Sequence, residues 1–197
     1  KRNKKKGVTE YLASKCNIKN DSEVMLIRNK HLSVIPLTTH INIKEVSKKI
    51  KTNLIKNKIL TFNNWFTNKY KKKPKIAILG LNPHNSEFKI NSEESKIIKP
   101  SIKFLKKKGI KISGPFSADT IFIKEYKNYD VIVGMYHDQV LGPFKSLFKF
   151  NGINITLGLK YFRSSPDHGV ATNLIKKFKA DPSSLLECVH YFNSIKK

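Results

Sequence analysis

Three of the six histidines follow predicted strands, each at the point where an apolar run ends. They are His40 after Val34–Leu37, His84 after Lys75–Leu81, and His137 after Asp130–Tyr136. Ligands of open α/β sheets bind outside the carboxyl ends of the strands, and imidazoles that converge there would bind a divalent metal ion. The alternative for each histidine is a loop residue that only satisfies its own hydrogen bonds. The spacing therefore leaves both a shared metal site and three separate loop histidines open.

A second group of polar side chains surrounds the predicted strand Ile153–Leu159 and fits an anionic ligand. Lys145 follows His137 by eight residues, and Asn154 and Arg163 flank the strand. Lysine and arginine at sheet ends commonly hold phosphate or carboxylate groups. Most lysines of so basic a chain must face solvent, which leaves a surface role open for Lys145, whereas arginine is rare here and Arg163 stands out.

Other catalytic motifs are missing from the sequence. The glycines form no GxGxxG, so there is no dinucleotide fingerprint, and no GxSxG or Cys-His arrangement indicates nucleophilic catalysis. Asp119, in the segment Gly114–Thr120, is either a catalytic carboxylate or a helix cap. The sequence alone therefore identifies no catalytic residue.

The chain carries 39 Lys and Arg against 14 Asp and Glu, which gives a net charge of +25. Only Arg2, Arg28 and Arg163 are arginine, and the lysines are spread along the whole chain. Base readout and bidentate phosphate contacts favour arginine, so we expect a solvated lysine surface rather than a nucleic-acid partner. Cys16 and Cys188 form no CxxC pair, which suits a reducing, cytoplasmic environment. The apolar runs are too short to cross a bilayer, so no membrane partner is expected.

Strands alternate with helices along the chain, which predicts an α/β fold with a largely parallel sheet. The predicted strands are Glu23–Asn29, His31–Thr39, Lys75–Leu81, Asp130–Tyr136 and Ile153–Leu159. The predicted helices run from Asn42 to about Trp65, over Ser92–Lys108 and His168–Lys177, and from Asp181 to about Ile195. Residues 1–22 read as a polar lead-in, and residues 23–197 as the α/β core.

Four segments resemble motifs of the 4-hydroxythreonine-4-phosphate dehydrogenase family, which makes precursors of pyridoxal 5′-phosphate. They are LGLNPH (79–84), GPFSADTIF (114–122), MYHDQ (135–139) and NITLGLKYFRSSPDHG (154–169). The match runs from about Gly7 to the end of the chain and resembles the C-terminal part of the family's sequence. It implies an isocitrate/isopropylmalate-dehydrogenase-like fold whose N-terminal portion is missing here, and a homodimer with active sites at the subunit interface.

The resemblance also implies a reaction and residues that carry it. The reaction is NAD-dependent oxidation of the hydroxyl of 4-phosphohydroxy-L-threonine to a β-keto acid, which decarboxylates to 3-amino-2-oxopropyl phosphate. His40, His84 and His137 match the family's ligands to a divalent metal ion, with zinc, magnesium and cobalt as the candidates. Four positions match the binding residues for this small phosphorylated substrate: Thr9, Lys145, Asn154 and Arg163.

The sequence departs from the family pattern at two places. Val8 stands where the family has a substrate-binding histidine, and Asn85-Ser86-Glu87-Phe88 replaces a glycine-rich, acidic turn. Valine neither binds a phosphate nor exchanges a proton. Two alternatives to the main reading therefore stay open: a related dehydrogenase of another phosphorylated hydroxy acid, and a truncated, non-catalytic chain that binds metal or anions.

Overall fold

The computed structural model describes residues 7–18, 21–169, 172–175, 177 and 179–194. Within these residues, seven strands form one sheet. The strands are β1 (Val24–Arg28), β2 (Ser33–Thr38), β3 (Ile76–Leu79), β4 (Ile112–Phe116), β5 (Val131–Tyr136), β6 (Ile153–Leu157) and β7 (Ser164–Pro166). The α-helices are α1 (Val8–Lys15), α2 (Ile43–Lys49), α3 (Thr52–Tyr70), α4 (Lys99–Lys107), α5 (Ala118–Ile121), α6 (His137–Phe148) and α7 (Ser183–Asn193).

The sheet has a parallel half and an antiparallel half, in the order β4-β3-β5-β2-β1-β6-β7. The pairs β3–β4, β3–β5 and β2–β5 are parallel, whereas β1–β2, β1–β6 and β6–β7 are antiparallel. The α/β fold is thus confirmed, and the predicted parallel character holds for the half that carries the three histidines. Because β3, β5 and β2 are parallel neighbours, their carboxyl ends meet at one edge of the sheet.

Two layers of helices cover the sheet. Helices α2, α3 and α4 pack their apolar side chains against one face, and α5 and α6 pack against the other. The central strands are buried on both faces, which is why their sequences are continuous apolar runs rather than alternating ones. This packing fixes the strand ends that carry the candidate site.

Several predicted boundaries were wrong for identifiable reasons. The helix predicted from Asn42 to about Trp65 is interrupted at Ile50 and Lys51, which are extended, so that it forms two helices. Ile50 is fully buried at this break, so the apolar period continues through it. The helix predicted over Ser92–Lys108 begins instead as a π-helical turn at Glu94–Ile98 that leads into α4.

Residues 1–22 were predicted to be a polar lead-in, but they contain α1, whose Thr9 and Ala13 are buried one turn apart. Strand β4 and helix α6 were also not predicted. Both contain a Gly-Pro pair, at Gly114-Pro115 and Gly142-Pro143, and such pairs normally punctuate secondary structure. Tertiary packing overrides that local signal here.

The helix predicted over His168–Lys177 was wrong, because the described part of this segment holds only a 3₁₀ turn at Thr172–Leu174. Residues 170, 171 and 176 of the segment lie outside the described residues. The final helix is confirmed as α7, whose N-cap residue is Pro182. Asp181 lies one residue before the cap, and its Oδ1 accepts a hydrogen bond from the Ser183 N–H at 2.9 Å. The predicted end of this helix, Ile195, lies outside the described residues.

None of the helices among the described residues is long and apolar enough to span a membrane.

Candidate functional site

His40 and His137 lie side by side at the carboxyl edge of the parallel strands. Thr38 of β2 and Tyr136 of β5 are partners in the sheet register, and each immediately precedes the segment that carries one histidine. The centres of the two imidazole rings are 6.0 Å apart. The structure therefore brings together two of the three histidines that the sequence singles out.

Each of these imidazoles has a carboxylate at its Nδ1 atom. The Glu10 Oε2 atom lies 3.4 Å from Nδ1 of His40, and the Asp138 Oδ1 atom lies 2.6 Å from Nδ1 of His137. A carboxylate at one ring nitrogen fixes the tautomer and the orientation of the ring, and leaves the other nitrogen to a metal. Both side chains are thus arranged to offer Nε2 as a ligand to a metal ion.

Glu10 is held by a second contact, because the hydroxyl of Thr39 donates a hydrogen bond to its Oε1 atom. Burial acts to raise the pKa of Glu10, but the hydrogen bond from Thr39 and the neighbouring His40 lower it below its ordinary value. Helix α1 brings this carboxylate to the sheet edge together with the buried Thr9. Val8 is 58% exposed on the same helix.

A chain of hydrogen bonds ties the ends of the three parallel strands together. The Thr38 hydroxyl donates to the Met135 carbonyl at 2.8 Å. Gln139 accepts from the Met135 N–H at 2.7 Å and donates to the Gly80 carbonyl at 2.8 Å. Because Gly80 directly follows β3, this network fixes the segment that leads to His84 relative to the segment that carries His137.

His84 itself lies in an unusual turn and does not complete a group of ligands. It begins a run of five residues with positive φ, from His84 to Phe88, where φ lies between 49° and 56°. Among the residues that the structure describes, no three His, Cys, Asp or Glu side chains converge to hold a metal ion. One chain thus supplies two oriented imidazoles, and the third predicted ligand stands apart on the same edge.

Lys145 is anchored by Asp167 rather than free in solvent. Its ammonium donates to the Asp167 carbonyl at 2.5 Å and to Oδ2 of the same residue at 3.1 Å. The Asp167 N–H donates to the Ser184 hydroxyl of α7 at 3.0 Å. Burial raises the pKa of Asp167, and Lys145 acts in the opposite direction. Lys145 is therefore paired with a buried carboxylate rather than fully solvated, and its role in substrate binding stays a prediction.

Asn154 and Arg163 lie in the antiparallel half of the sheet. The buried Oδ1 atom of Asn154 has no hydrogen-bond partner among the described residues. Arg163 donates from Nη1 to the Thr156 hydroxyl at 3.1 Å, and burial lowers the pKa of its guanidinium. An unpaired buried acceptor and a half-buried cation would together suit a ligand that carries both a hydrogen-bond donor and an anionic group.

The sheet register separates Asn154 from the histidine pair. Asn154 pairs with Ile27, and Ile27 pairs with Val34, which is four residues before Thr38 at the end of β2. At a rise of roughly 3.3 Å per residue, Asn154 lies about 13 Å from the histidine edge along the strands. The register thus sets Asn154 apart from the histidine pair, whereas Lys145 lies on the same helix as His137, eight residues further along.

Asp119 is exposed in the first turn of the short helix α5, and the residue at the N-cap is Ser117. The helix-cap reading of Asp119 was therefore wrong, and its catalytic role stays a prediction.

The sequence reading missed Glu10, Asp138 and Asp167 as partners of the site residues. One usable signal was present, because acidic residues are scarce here, 14 in 197. In such a chain an acidic residue directly beside a candidate metal ligand, as Asp138 is beside His137, is a rare coincidence and therefore points to a site.

Comparison with known proteins identifies close relatives over nearly the whole chain. Residues 1–192 match the family model described as pyridoxal phosphate biosynthetic protein PdxA. A 4-hydroxythreonine-4-phosphate dehydrogenase from Sulfurihydrogenibium is 45% identical over 93% of this chain and 56% of the relative. A protein of Oceanobacillus iheyensis, provisionally named a D-threonate 4-phosphate dehydrogenase, is 39% identical over 93% of this chain and 56% of its own length.

The crystal structure of the 4-hydroxythreonine-4-phosphate dehydrogenase of Klebsiella pneumoniae has the same fold, with a TM-score of 0.80 and 32% identity. The likeness covers 94% of this chain and 56% of that one. The chain thus spans a little over half the length of the relatives that it matches.

Proposed function

Because the chain belongs to the pyridoxal phosphate biosynthetic protein PdxA family, we propose that it carries the catalytic edge of a 4-hydroxythreonine-4-phosphate dehydrogenase. The reaction removes a hydride and a proton from the hydroxyl-bearing carbon and its oxygen, and NAD accepts the hydride. The resulting β-keto acid then loses carbon dioxide to give 3-amino-2-oxopropyl phosphate. The observation that carries the proposal is the pair of imidazoles at the sheet edge, each with a carboxylate at Nδ1.

We propose that His40, His84 and His137 bind a divalent metal ion. The donor set supports this assignment in part, since two rings 6.0 Å apart each have Nε2 available. A divalent ion bound there would polarise the reacting oxygen. Glu10 and Asp138 would hold the rings in place during the reaction.

Thr9, Lys145, Asn154 and Arg163 are the proposed contacts to the substrate. Lys145 and Arg163 offer positive charge to its phosphate and carboxylate, and the unpaired Asn154 Oδ1 atom would accept a hydrogen bond from its ammonium or hydroxyl group. We further propose a homodimer in which two copies share each site, as the resemblance to the family implies. We place this enzyme in the cytoplasm, as the cysteine usage predicts.

The nicotinamide cofactor is proposed from the family alone. The sequence has no glycine-rich pyrophosphate fingerprint, and no residue of the chain is assigned to NAD.

A second candidate substrate is another phosphorylated hydroxy acid. Val8 stands exposed on α1 one residue before Thr9, where it offers no hydrogen bond to a ligand. The relative from Oceanobacillus iheyensis provisionally named for D-threonate 4-phosphate shows that this family includes proteins assigned to other substrates. That compound is therefore the comparison substrate of choice.

The deciding experiment measures zinc binding by calorimetry and NADH formation in the same samples of this chain. Each proposed substrate is offered with NAD and zinc. His137→Ala is compared with His190→Ala, whose side chain is 70% exposed on α7 away from the pair. We expect zinc binding and NADH formation in the wild type and in His190→Ala, and loss of both in His137→Ala.

The outcomes separate the three readings. NADH formed only from D-threonate 4-phosphate would select the related dehydrogenase. Zinc binding that depends on His137 without turnover would select a metal-binding chain that does not catalyse the reaction. Zinc binding that survives His137→Ala would contradict the assignment of the metal site.

A further inference from the structure

Glu94 is a fully buried carboxylate in a chain with few acidic residues, and its exposed fraction is 0%. Its Oε1 atom accepts the backbone N–H groups of Leu81 and Asn82 at 2.8 and 2.9 Å. The side-chain amide of Asn82 also donates to Oε1 and Oε2, at 3.3 and 3.2 Å. A buried charge is tolerated only when such donors satisfy it, so this arrangement is specific.

Leu81 and Asn82 are the residues that connect β3 to Pro83 and His84. Two successive N–H groups held on one carboxylate fix the direction in which the chain leaves the strand. The Glu94 hydrogen bonds therefore define where the turn that contains His84 begins. Gln139 fixes the residue before them through the Gly80 carbonyl.

The turn is also held from its other side. Asn85 donates from Nδ2 to the Pro115 carbonyl at 3.3 Å, and its own N–H donates to the Asn82 carbonyl at 3.1 Å. A Cβ atom on Gly80 would lie 2.0 Å from Oδ1 of Asn85 and 3.2 Å from Oε1 of Glu94. The glycine is required because the turn, the strand end and the carboxylate meet here in close contact.

The π-helical turn at Glu94–Ile98 supplies the carboxylate. It precedes α4 directly and widens the helix at its beginning. Such turns occur frequently at functional sites. Burial acts to raise the pKa of Glu94, but hydrogen bonds from the backbone and side chain of Asn82 and from Leu81 lower it.

We propose that Glu94 is a positioning residue whose buried carboxylate holds the Leu81–Asn82 backbone and so sets the place of His84 at the sheet edge. The inference rests on the proposed function only in the use of His84 as a metal ligand. Glu94 touches neither the histidine pair nor any substrate contact, and it acts through the backbone.

The test compares Glu94→Gln with Glu93→Gln in the full chain. Glu93 is the matched control, because its carboxylate accepts a hydrogen bond from the side chain of Asn82 at 3.0 Å, whereas both backbone N–H groups are held by Glu94. The measurements are the imidazole NMR signals of His84, identified with His84→Ala, the hydrogen exchange of the Leu81 and Asn82 amides, and zinc affinity by calorimetry.

We expect Glu94→Gln to shift the His84 signals and to accelerate exchange of both amides about tenfold or more, because the charged acceptor is lost. Zinc affinity should fall about tenfold, as for other residues that orient metal ligands. Glu93→Gln should leave all three readouts close to the wild type. If Glu94→Gln does not fold, Glu94→Asp takes its place in the same measurements. That variant keeps the charge and withdraws it by one methylene group.

Unchanged His84 signals and unchanged amide exchange in the Glu94 variant would overturn the proposal. Shifted signals in a chain whose wild type binds no zinc would uphold the positioning role and contradict the proposed metal site instead. The two proposals therefore fail in different ways.

Discussion

Gly7 places the backbone of α1 directly against the His40 ring. A Cβ atom at Gly7 would lie 2.0 Å from Nδ1 and 2.2 Å from Cε1 of that ring, and 2.9 Å from Oε2 of Glu10. No side chain other than hydrogen fits between the helix and the imidazole. The glycine therefore lets His40, Glu10 and the start of α1 occupy one small region.

We expect Gly7→Ala to lower zinc affinity about tenfold, because the added methyl group displaces His40 from its carboxylate partner. The free energy of unfolding should change little, since the His40 side chain is 47% exposed and moves toward solvent. Calorimetry with zinc and urea denaturation measure the two quantities. The control is Gly142→Ala in α6, where a Cβ meets no atom within 4 Å. Equal zinc affinities in the two variants would contradict the prediction.

The sequence predicted the three histidines at strand ends because strand ends are visible as the ends of apolar runs. It could not predict that Glu10 contacts His40, because that contact depends on where α1 lies relative to the segment that follows β2. Asp167 and Lys145 likewise come together only because α6 and the segment after β7 meet in the fold. These two contacts join different elements and could not be predicted from the sequence, whereas the contact of His137 with Asp138, its neighbour in α6, could have been.

At the scale of elements, the turn after β3 is the least conventional part of the backbone. His84–Phe88 all have positive φ, and none of them is glycine. The left-handed conformation costs an L-residue roughly 1–2 kcal/mol, whereas glycine adopts it without that cost. The buried Glu94 and Asn85 contacts hold this turn in place.

We expect Glu87→Gly to raise the free energy of unfolding by about 1 kcal/mol, because it removes the steric cost at one left-handed residue. For a chain of this size the melting temperature should rise by about 2–4 °C. Glu87 is exposed and forms a long ion pair with Lys89, at 3.9 Å, so the substitution removes little other stabilisation. Calorimetric melting measures the effect, and Glu87→Ala, which retains Cβ, is the control. A similar gain in both variants would show that charge rather than backbone conformation is responsible.

Elements with strong apolar periods were predicted well, and elements that contain breakers were not. Strands β1, β2, β3 and β5 lie inside the predicted runs. Helix α6 escaped prediction because Gly142 and Pro143 stand in its interior, although Val140, Leu141 and Phe144 bury it against the sheet. Burial of these apolar side chains outweighs the low helix propensity of Gly142 and Pro143.

At the scale of the whole molecule, two carboxylates held by hydrogen bonds, Glu10 and Glu94, make the fold sensitive to acid. Glu10 and Glu94 both have pKa values below the ordinary value of 4.5 for glutamate. A carboxylate whose pKa is lowered in the folded state stabilises the fold above pH 4.5. This stabilisation is lost as the pH falls through the pKa of the folded state. Asp167 acts in the opposite sense, because burial raises its pKa.

We therefore expect the urea midpoint to fall steeply below about pH 4.5. Glu94→Gln should flatten this fall, since the variant has no carboxylate to protonate at that position, and Glu93→Gln should keep the wild-type slope. Denaturation followed by circular dichroism across this range gives the slopes. A Glu94→Gln curve parallel to the wild type would mean that Glu94 does not supply the pH dependence.

The net charge of +25 is the other property of the whole molecule with a measurable consequence. Lysines crowd the exposed face of α4, where Lys99, Lys103, Lys106 and Lys107 line an open cavity of about 470 Å³. Like charges one turn apart repel each other, and the repulsion is screened by salt. This surface therefore opposes folding most strongly at low ionic strength.

We expect Lys103→Glu to raise the melting temperature by about 1–2 °C at low salt, because Glu at this position lies one turn before Lys107 and one turn after Lys99. The gain should shrink when about 1 M sodium chloride is added, since the Debye length then falls to roughly 3 Å. Lys103→Gln, which removes the charge without reversing it, should show about half the gain. A gain that persists at high salt would instead indicate an effect of helix propensity, because propensity does not depend on screening.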